Sequence, residues 1–119
     1  MIPTLNGGSR FRACMDALMS QTPRPDWVVV VDSGSTDDTV GVAKTAGARL
    51  ISFREPFDHG LARNRGAEEV LEADALIFLV QDAVPQGESC ICNKAESHSA
   101  PGVGAVTARQ VGPPEAFLT

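Results

Sequence analysis

The sequence lacks the features that mark membrane, secreted or nucleic-acid-binding proteins. It has ten basic residues against fifteen acidic ones, and its net charge of -5 argues against a nucleic-acid partner, because phosphate backbones are bound by clustered Lys and Arg. The longest apolar run, residues 75–80, is six residues long and too short to cross a bilayer. The N-terminus has neither the charged start nor the long apolar stretch of a signal peptide. We therefore expect no transmembrane segment and a cytoplasmic location.

Cysteine is also scarce. Cys14, Cys90 and Cys92 leave an odd one over, which is not the pattern of a disulfide scaffold. Cys90 and Cys92 with His98 could be taken for a metal cluster, but the C-x-C spacing is not that of a zinc knuckle and a fourth ligand is missing. The cysteines therefore do not favour a zinc centre.

The most informative stretch is WVVVVDSGSTDDT, which starts at Trp27. Its apolar part, residues 27–31, is almost entirely β-branched and shows no alternation, which predicts a strand buried on both faces of a parallel sheet and ending at Asp32. Ser35 and Asp38 have the spacing of a capping box, and Gly47 would end the helix that follows. A strand, an acid, a turn and a helix together form the edge where α/β sheets bind ligands. A solvated turn aspartate explains Asp32 equally well at this point.

The elements before and after this stretch predict an α/β domain. Residues 1–6 resemble the end of a strand that breaks at Pro3, and Ser9 can cap the helix that follows. Residues 48–53 alternate and predict a third strand, and a further helix is expected over residues 61–72. This β-α-β-α order predicts a parallel sheet in a single domain.

A second apolar run ends in the same way. Residues 76–80, LIFLV, predict another fully buried strand, which stops at Gln81 and Asp82. If both strands lie in one parallel sheet, Asp32 and Asp82 lie at the same edge, on opposite sides of one crevice that would fit a nucleotide and its metal. Beyond residue 86 the pattern weakens, and a last strand is predicted over residues 102–107.

The loop over residues 54–64 is rich in functional groups, and such loops commonly form sites. From the residues alone, His59 fits an ordinary loop histidine better than a catalytic one. Arg63 fits a salt bridge on a helix that carries Glu68, Glu69 and Glu72.

Four blocks then carry a resemblance to a known family. Residues 2–6, 30–37, 61–66 and 78–83, in this order, closely resemble family 2 glycosyltransferases of the GT-A fold. The resemblance is good over residues 1–86 and weak over residues 87–119, with a return at residues 103–113. Within the family, the Phe57-Asp58-His59-Gly60 stretch, Gln81-Asp82-Ala83 and Arg109-Gln110 resemble rhamnosyltransferase-type members that build bacterial surface polysaccharide.

The resemblance implies a three-layer α/β/α fold with a mostly parallel, Rossmann-like sheet, here a single domain over residues 1–119 that is incomplete at both ends. It implies inverting transfer from a dTDP- or UDP-sugar to a hydroxyl of a glycan acceptor. Asp32 would bind the pyrimidine base, Arg63 would face the diphosphate, and Asp82 would hold Mg²⁺ or Mn²⁺. The full set of residues that the resemblance assigns to the nucleotide-sugar site is Pro3, Thr4, Asn6, Asp32, Ser33, Ser35, Asp37, His59, Arg63, Asn64, Gln81 and Asp82.

The sequence departs from the family pattern in three ways, and one of them is that the first strand is clipped to a stub at Met1. Val80 stands where the first acid of the metal-binding motif is expected, which weakens the predicted metal affinity. The family's catalytic base, an Asp, lies further along than these residues, in the acceptor-binding half, so no catalytic residue can be named here. We therefore expect the donor-binding half of a longer parent protein, in the cytoplasm or at the inner face of its membrane.

Two alternatives remain from the residues. One is a fragment without catalytic activity that only binds nucleotide or self-associates as a homo-oligomer, because a severed sheet exposes apolar surface and strand edges. The other is a Rossmann-type dinucleotide binder, which the sequence disfavours because no G-x-G-x-x-G lies between the first strand and helix.

Overall fold

The computed structural model describes residues 1–54, 56 and 58–107, so Phe57, Arg109 and Gln110 of the sequence motifs lie outside the described residues. Strands and helices alternate through the first part of the chain, as predicted. The elements are β1 (Ile2–Thr4), α1 (Gly8–Met19), β2 (Val29–Asp32), α2 (Thr39–Thr45), β3 (Arg49–Ser52), α3 (His59–Glu68) and α4 (Cys90–His98). Among the described residues, no helix is long and apolar enough to cross a membrane.

The sheet has the order β1-β2-β3 with parallel pairing, and helices cover both of its faces. Val30 faces the side covered by α1 and α2, where it packs in one core cluster with Phe11 and Met15. Val29 and Val31 face the opposite side and pack with α3 in a second cluster. Every residue of β2 is buried. The predicted three-layer α/β/α fold is therefore confirmed. The central strand is buried on both faces as predicted, but it begins at Val29, and Trp27 is 38% exposed.

The sequence predicts that α1 and α2 exist, but it does not predict the residues at which they begin. Helix α1 begins at Gly8 with Gly7 at its N-cap position, so Ser9 is not the cap. Helix α2 begins at Thr39, later than predicted, and the Ser35–Asp38 capping box does not form. The Ser35 side chain turns back to the end of β2 instead. Gly47 follows α2 with a φ of +75°, the left-handed conformation expected of the residue that ends a helix.

Helix α3 begins earlier than predicted, at His59, because Asp58 supplies the cap. The Asp58 carboxylate accepts the Leu61 N–H at 2.9 Å. The helix ends at Glu68, four residues before the predicted end at residue 72.

The prediction of a fully buried strand over residues 76–80 is wrong. This segment lies beside β1, where the Met1 amino group donates to the Ile77 carbonyl at 2.7 Å and the Leu79 N–H donates to the Met1 carbonyl at 3.0 Å. No regular strand is formed. Ile77 and Leu79 pack against the core, but the alternate residues Leu76, Phe78 and Val80 are 40%, 43% and 42% exposed. An unbroken run of apolar residues therefore does not tell whether an extended segment is buried on one face or on both.

The region after residue 86 contains a helix that the sequence pattern does not predict, and it lacks the predicted strand. Helix α4 buries a single side chain, Ile91, whose N–H donates to the Gln21 Oε1 atom at 3.0 Å. Gln21 is 3% exposed and also donates to the Gly87 carbonyl at 2.8 Å. Residues 102–107 form no strand, contrary to prediction. One buried residue in a helix produces no periodic pattern, which explains why α4 was missed.

Candidate functional site

Three loops meet at the carboxyl edge of the sheet. They are residues 5–8 after β1, residues 33–38 after β2, and residues 81–82 after the apolar segment. The first loop is central, because it forms hydrogen bonds with both of the others. Nine of the twelve residues predicted for the nucleotide-sugar site lie on these loops or on the strand ends that lead into them, and His59, Arg63 and Asn64 lie on α3.

Asp32 is the most heavily bonded residue of this edge. It is 4% exposed, and its Oδ1 atom accepts the Thr4 hydroxyl at 3.1 Å and the Ser35 hydroxyl at 2.5 Å. Its Oδ2 atom accepts the N–H groups of Gly34 at 3.1 Å and Ser35 at 2.9 Å. A carboxylate has about four acceptor positions, so all of them are used. A pyrimidine N–H would have to displace one of these donors, and base binding by Asp32 stays a prediction.

Asn6 joins the first loop to the second. Its N–H donates to the Ser35 hydroxyl at 2.9 Å, and its Oδ1 atom accepts the N–H groups of Thr36 at 2.8 Å and Asp37 at 3.3 Å. The backbone of Asn6 has a φ of +47°, a left-handed conformation that Asn tolerates better than most residues. Asn6 therefore acts in this structure as a bridge between loops.

Asp37 links the starts of α1 and α2. Its carboxylate accepts the hydroxyl and the N–H of Thr39, the latter at 3.0 Å, and also the Gly8 N–H at 3.0 Å. These hydrogen bonds, that of the Thr39 hydroxyl above all, lower the pKa of Asp37. The Gly7 N–H donates to the same Thr39 hydroxyl at 3.0 Å. Thr39 was not predicted to belong to the site; its position at the start of a helix was the available signal.

The third loop borders a cavity of about 420 Å³ at the end of β1. One wall is apolar and the other carries His59, Gln81 and Asp82. The lining residues are Pro3, Leu5, His59, Val80, Gln81 and Asp82. Asp32 is not among them, because the end of β1 lies between Asp32 and Asp82: Thr4 bonds to Asp32, and Leu5 bonds to Gln81.

Asp82 is half exposed and faces Arg10, a residue that the sequence analysis did not select. The Arg10 guanidinium and the Asp82 carboxylate are 3.9 Å apart, with side chains 80% and 51% exposed. A pair this exposed contributes little to stability. Arg10 could have been selected from its position, since the first turn of a helix that follows a parallel strand lies at the same carboxyl edge.

Two predicted site residues have buried polar atoms without a partner. Within the described part of the chain, these atoms are the Ser33 Oγ and the Arg63 Nε. The ion pairs on α3 are made by Arg65 with Glu68 and Glu69 at 3.0 and 3.7 Å, so the alternative of a salt bridge for Arg63 is not found among the described residues. Asn64 is exposed. Buried polar groups are usually paired, so unpaired ones point to a missing partner.

The acidic residues do not form a metal-binding cluster by themselves. No group of three or more His, Cys, Asp or Glu side chains that could hold a metal occurs in the part of the chain that the structure describes. The same finding excludes the Cys90, Cys92 and His98 cluster there. Within residues 80–82, Asp82 is the candidate ligand, because Val80 is apolar and the Gln81 amide is bonded to Leu5.

Comparison with known proteins points to one family. The model of the family described as "Glycosyl transferase family 2" matches residues 1–117. An O-antigen chain rhamnosyltransferase, RfbN of Salmonella typhimurium, is 40% identical over 114 residues, which cover 93% of this chain and 36% of the relative. The chain thus spans little more than a third of that relative's length.

Solved structures share the fold. Residues 1–349 of TarS from S. aureus superpose with a TM-score of 0.68 at 19% identity, over 92% of this chain and 37% of that one. Glucosyl-3-phosphoglycerate synthase from Mycobacterium tuberculosis, solved with Mn²⁺, uridine diphosphate and glucosyl-3-phosphoglycerate, superposes with a TM-score of 0.57 at 23% identity, over 87% of this chain and 38% of that one. These neighbours have the GT-A fold, as predicted for this chain.

Proposed function

The chain belongs to glycosyltransferase family 2, and we propose from this that it forms the donor-binding part of an inverting glycosyltransferase. The donor would be a nucleotide-diphosphate sugar of the dTDP or UDP type, and the acceptor a glycan hydroxyl in polysaccharide synthesis. The 40% sequence identity to an O-antigen chain rhamnosyltransferase supports a role in polysaccharide synthesis. The catalytic base of the proposed reaction is not assigned to any residue of this chain.

The observation that carries the proposal is the location of the unpaired polar atoms. The buried side-chain polar atoms without a partner in the described residues belong to Ser33 and Arg63, and the family resemblance assigned both residues to the donor site. A guanidinium matches the oxygens of a diphosphate, and a serine hydroxyl can donate to a ribose or phosphate oxygen. In the proposed complex a nucleotide diphosphate bound beside the cavity, which neither residue lines, would reach these two groups.

The loops around these residues are suited to a rigid binding site. Asp32, Asn6, Ser35 and Asp37 hold one another in place through direct hydrogen bonds. A site that is already ordered loses less conformational entropy when a ligand binds. In this proposal Asp32 contributes to the base pocket, with Pro3 and Thr4 at the end of β1 beside it, and His59 and Asn64 lie toward the diphosphate and sugar.

A divalent metal fits the site only together with the donor. Mg²⁺ is commonly held by one or two carboxylates plus substrate phosphates, and Asp82 supplies one half-exposed carboxylate at the edge of the cavity. Asp82 would hold the metal against the diphosphate, and the metal would offset charge on the leaving nucleoside diphosphate. Arg10 would then have to move away from Asp82 or pair with the diphosphate itself.

Binding of the donor nucleotide is the direct test. Isothermal titration calorimetry of the folded 119-residue chain with UDP and dTDP, each with and without Mn²⁺, should show saturable binding that Mn²⁺ strengthens. ADP is the matched control, because the proposed base pocket is for a pyrimidine. A well-folded chain that binds none of these nucleotides would overturn the proposal.

The location in the cytoplasm, or at the inner face of a membrane within a longer protein, remains part of this proposal. So does self-association as a homo-oligomer. The exposed row of Leu76, Phe78 and Val80 is apolar surface of the kind that mediates association. Size-exclusion chromatography that shows a monomer at every concentration would contradict self-association.

A further inference from the structure

The contact between β1 and the apolar segment is interrupted at Pro3. Met1 exchanges two backbone hydrogen bonds with this segment, to Ile77 and from Leu79. In a parallel ladder alternate residues of a strand bond to the same neighbour, so Pro3 and Leu5 should continue this contact. Proline has no N–H to donate, so the backbone ladder lacks one hydrogen bond at Pro3.

The Gln81 side chain restores the contact one step further on. Its Oε1 atom accepts the Leu5 N–H at 2.9 Å, and its Nε2 atom donates to the Leu5 carbonyl at 3.2 Å. A primary amide presents one acceptor and two donors, so it can pair with both backbone groups of one residue, as a neighbouring strand would. Both backbone groups of Leu5 are thereby satisfied by one side chain.

The first loop packs closely around this amide. A Cβ atom at Gly7 would lie 3.2 Å from the Gln81 Oε1 atom and 2.4 Å from the Phe11 Cβ atom, so residue 7 has no room for a side chain. Asn6, between Leu5 and Gly7, carries the hydrogen bonds to Ser35, Thr36 and Asp37. A displacement of Leu5 would therefore be passed to the loop that follows β2.

We propose that Gln81 is a positioning residue: its amide replaces the ladder interrupted at Pro3, fixes residues 5–8, and through Asn6 holds the loop of residues 33–38 in its binding geometry. This inference rests on the proposed function for its effect on nucleotide affinity, and it changes the role expected of Gln81. The side chain acts on Leu5 and need not touch the donor.

Two substitutions of Gln81 separate its hydrogen bonds from its volume. Gln81→Met keeps a side chain of similar length, but a thioether cannot replace the two amide hydrogen bonds to the Leu5 N–H and the Leu5 carbonyl. Gln81→Glu keeps an acceptor at neutral pH and loses the donor, and regains a donor when the carboxyl group is protonated. Gln86→Met is the matched control, because Gln86 is exposed and, among the described residues, its amide donates to the nearby Val84 carbonyl at 3.2 Å.

The test uses the ¹⁵N-labelled full chain, with circular dichroism to confirm folding. In Gln81→Met we expect the Leu5 amide to exchange with solvent at least about tenfold faster, since its acceptor is gone. The amide signals of Ser35, Thr36 and Asp37 should shift, and the Kd for UDP should rise about tenfold, equal to about 1.4 kcal/mol. Gln86→Met should match the wild type in all three measurements.

A pH series distinguishes positioning from a general loss of stability. At pH 7 Gln81→Glu should keep slower exchange at Leu5 than Gln81→Met, because its carboxylate still accepts the Leu5 N–H, and it should bind UDP more tightly than Gln81→Met as the pH is lowered and the introduced carboxyl group becomes protonated. Wild-type exchange at Leu5 in folded Gln81→Met would overturn the inference. So would fast exchange at Leu5 with an unchanged Kd for UDP.

Failure of the proposed function can be distinguished from failure of the positioning role of Gln81. If the wild-type chain binds neither UDP nor dTDP, the donor-site proposal falls. The positioning of the loops is then decided by the amide measurements alone: it stands if Gln81→Met shifts the signals of Ser35, Thr36 and Asp37, and falls if only Leu5 responds.

Discussion

The Ser35 hydroxyl donates to the Asp32 carboxylate at 2.5 Å, although the sequence pattern had suggested that Ser35 caps a helix. The same hydroxyl accepts the Asn6 N–H at 2.9 Å. Side chains of Ser commonly bond to nearby backbone or side-chain groups instead of capping a helix. As a result, the end of β2 and the loop after β1 share one hydrogen-bonded network centred on Asp32.

This network makes Asp32 important for stability as well as for binding. Asp32→Ala would leave the donors of Thr4, Gly34 and Ser35 without their acceptor, and we expect it to cost about 2 to 4 kcal/mol of unfolding free energy. It should also weaken UDP binding whether or not Mn²⁺ is present. Urea denaturation and calorimetry measure the two effects.

Asp38→Ala is the matched control for Asp32→Ala. Asp38 is also an aspartate of this loop, but it is exposed and pairs with Arg12 at 3.0 Å on the surface. Its loss should change the unfolding free energy by less than about 1 kcal/mol. If Asp32→Ala is as stable as Asp38→Ala, the network does not hold this edge of the sheet together.

The central strand and the position of Asp32 at its end were predictable because the signal is local: an unbroken β-branched run, residues 28–31, stops at Asp32. The segment of residues 76–80 was not, since its one-sided burial depends on where the chain packs. The site shows the same contrast. The resemblance selected Asn6 and Asp37, but their bonds to Thr36 and Gly8 join residues about thirty positions apart in sequence and follow only from the tertiary fold.

Asp82 should act on metal-dependent binding alone. Its carboxylate is exposed and its pair with Arg10 is long, so we expect Asp82→Asn to change the unfolding free energy by less than about 0.5 kcal/mol. The strengthening of UDP binding by Mn²⁺ should disappear, because the carboxylate ligand is lost. Titrations with and without Mn²⁺ measure this effect. Equal losses in Asp82→Asn and Asp32→Ala at every metal concentration would contradict separate roles for the two acids.

Gly66 should be required for α3 to pack on the sheet. A Cβ atom there would lie 2.6 Å from the Met1 Cγ atom and 3.0 Å from the Val31 Cγ2 atom. We expect Gly66→Ala to destabilise the fold by about 1 to 3 kcal/mol despite the better helix propensity of alanine. Gly60→Ala, on the exposed start of the same helix, should cost less, because a Cβ atom there would lie 3.2 Å from the Asp58 Oδ1 atom, whose exposed side chain can shift. Thermal denaturation of the two variants distinguishes packing from propensity, and equal melting temperatures would show that the helix can shift to admit the methyl group.

Cys14 should be unreactive in the folded chain. It is fully buried in the core under α1, and burial raises the pKa of its thiol to about 11. Because the thiolate is the reactive form, iodoacetamide at pH 8 should modify Cys90 and Cys92, which are partly exposed, and leave Cys14 intact until urea is added. Mass spectrometry of tryptic peptides gives the extent of modification at each cysteine. Modification of Cys14 at the rate of the other two in native buffer would show that the core opens readily.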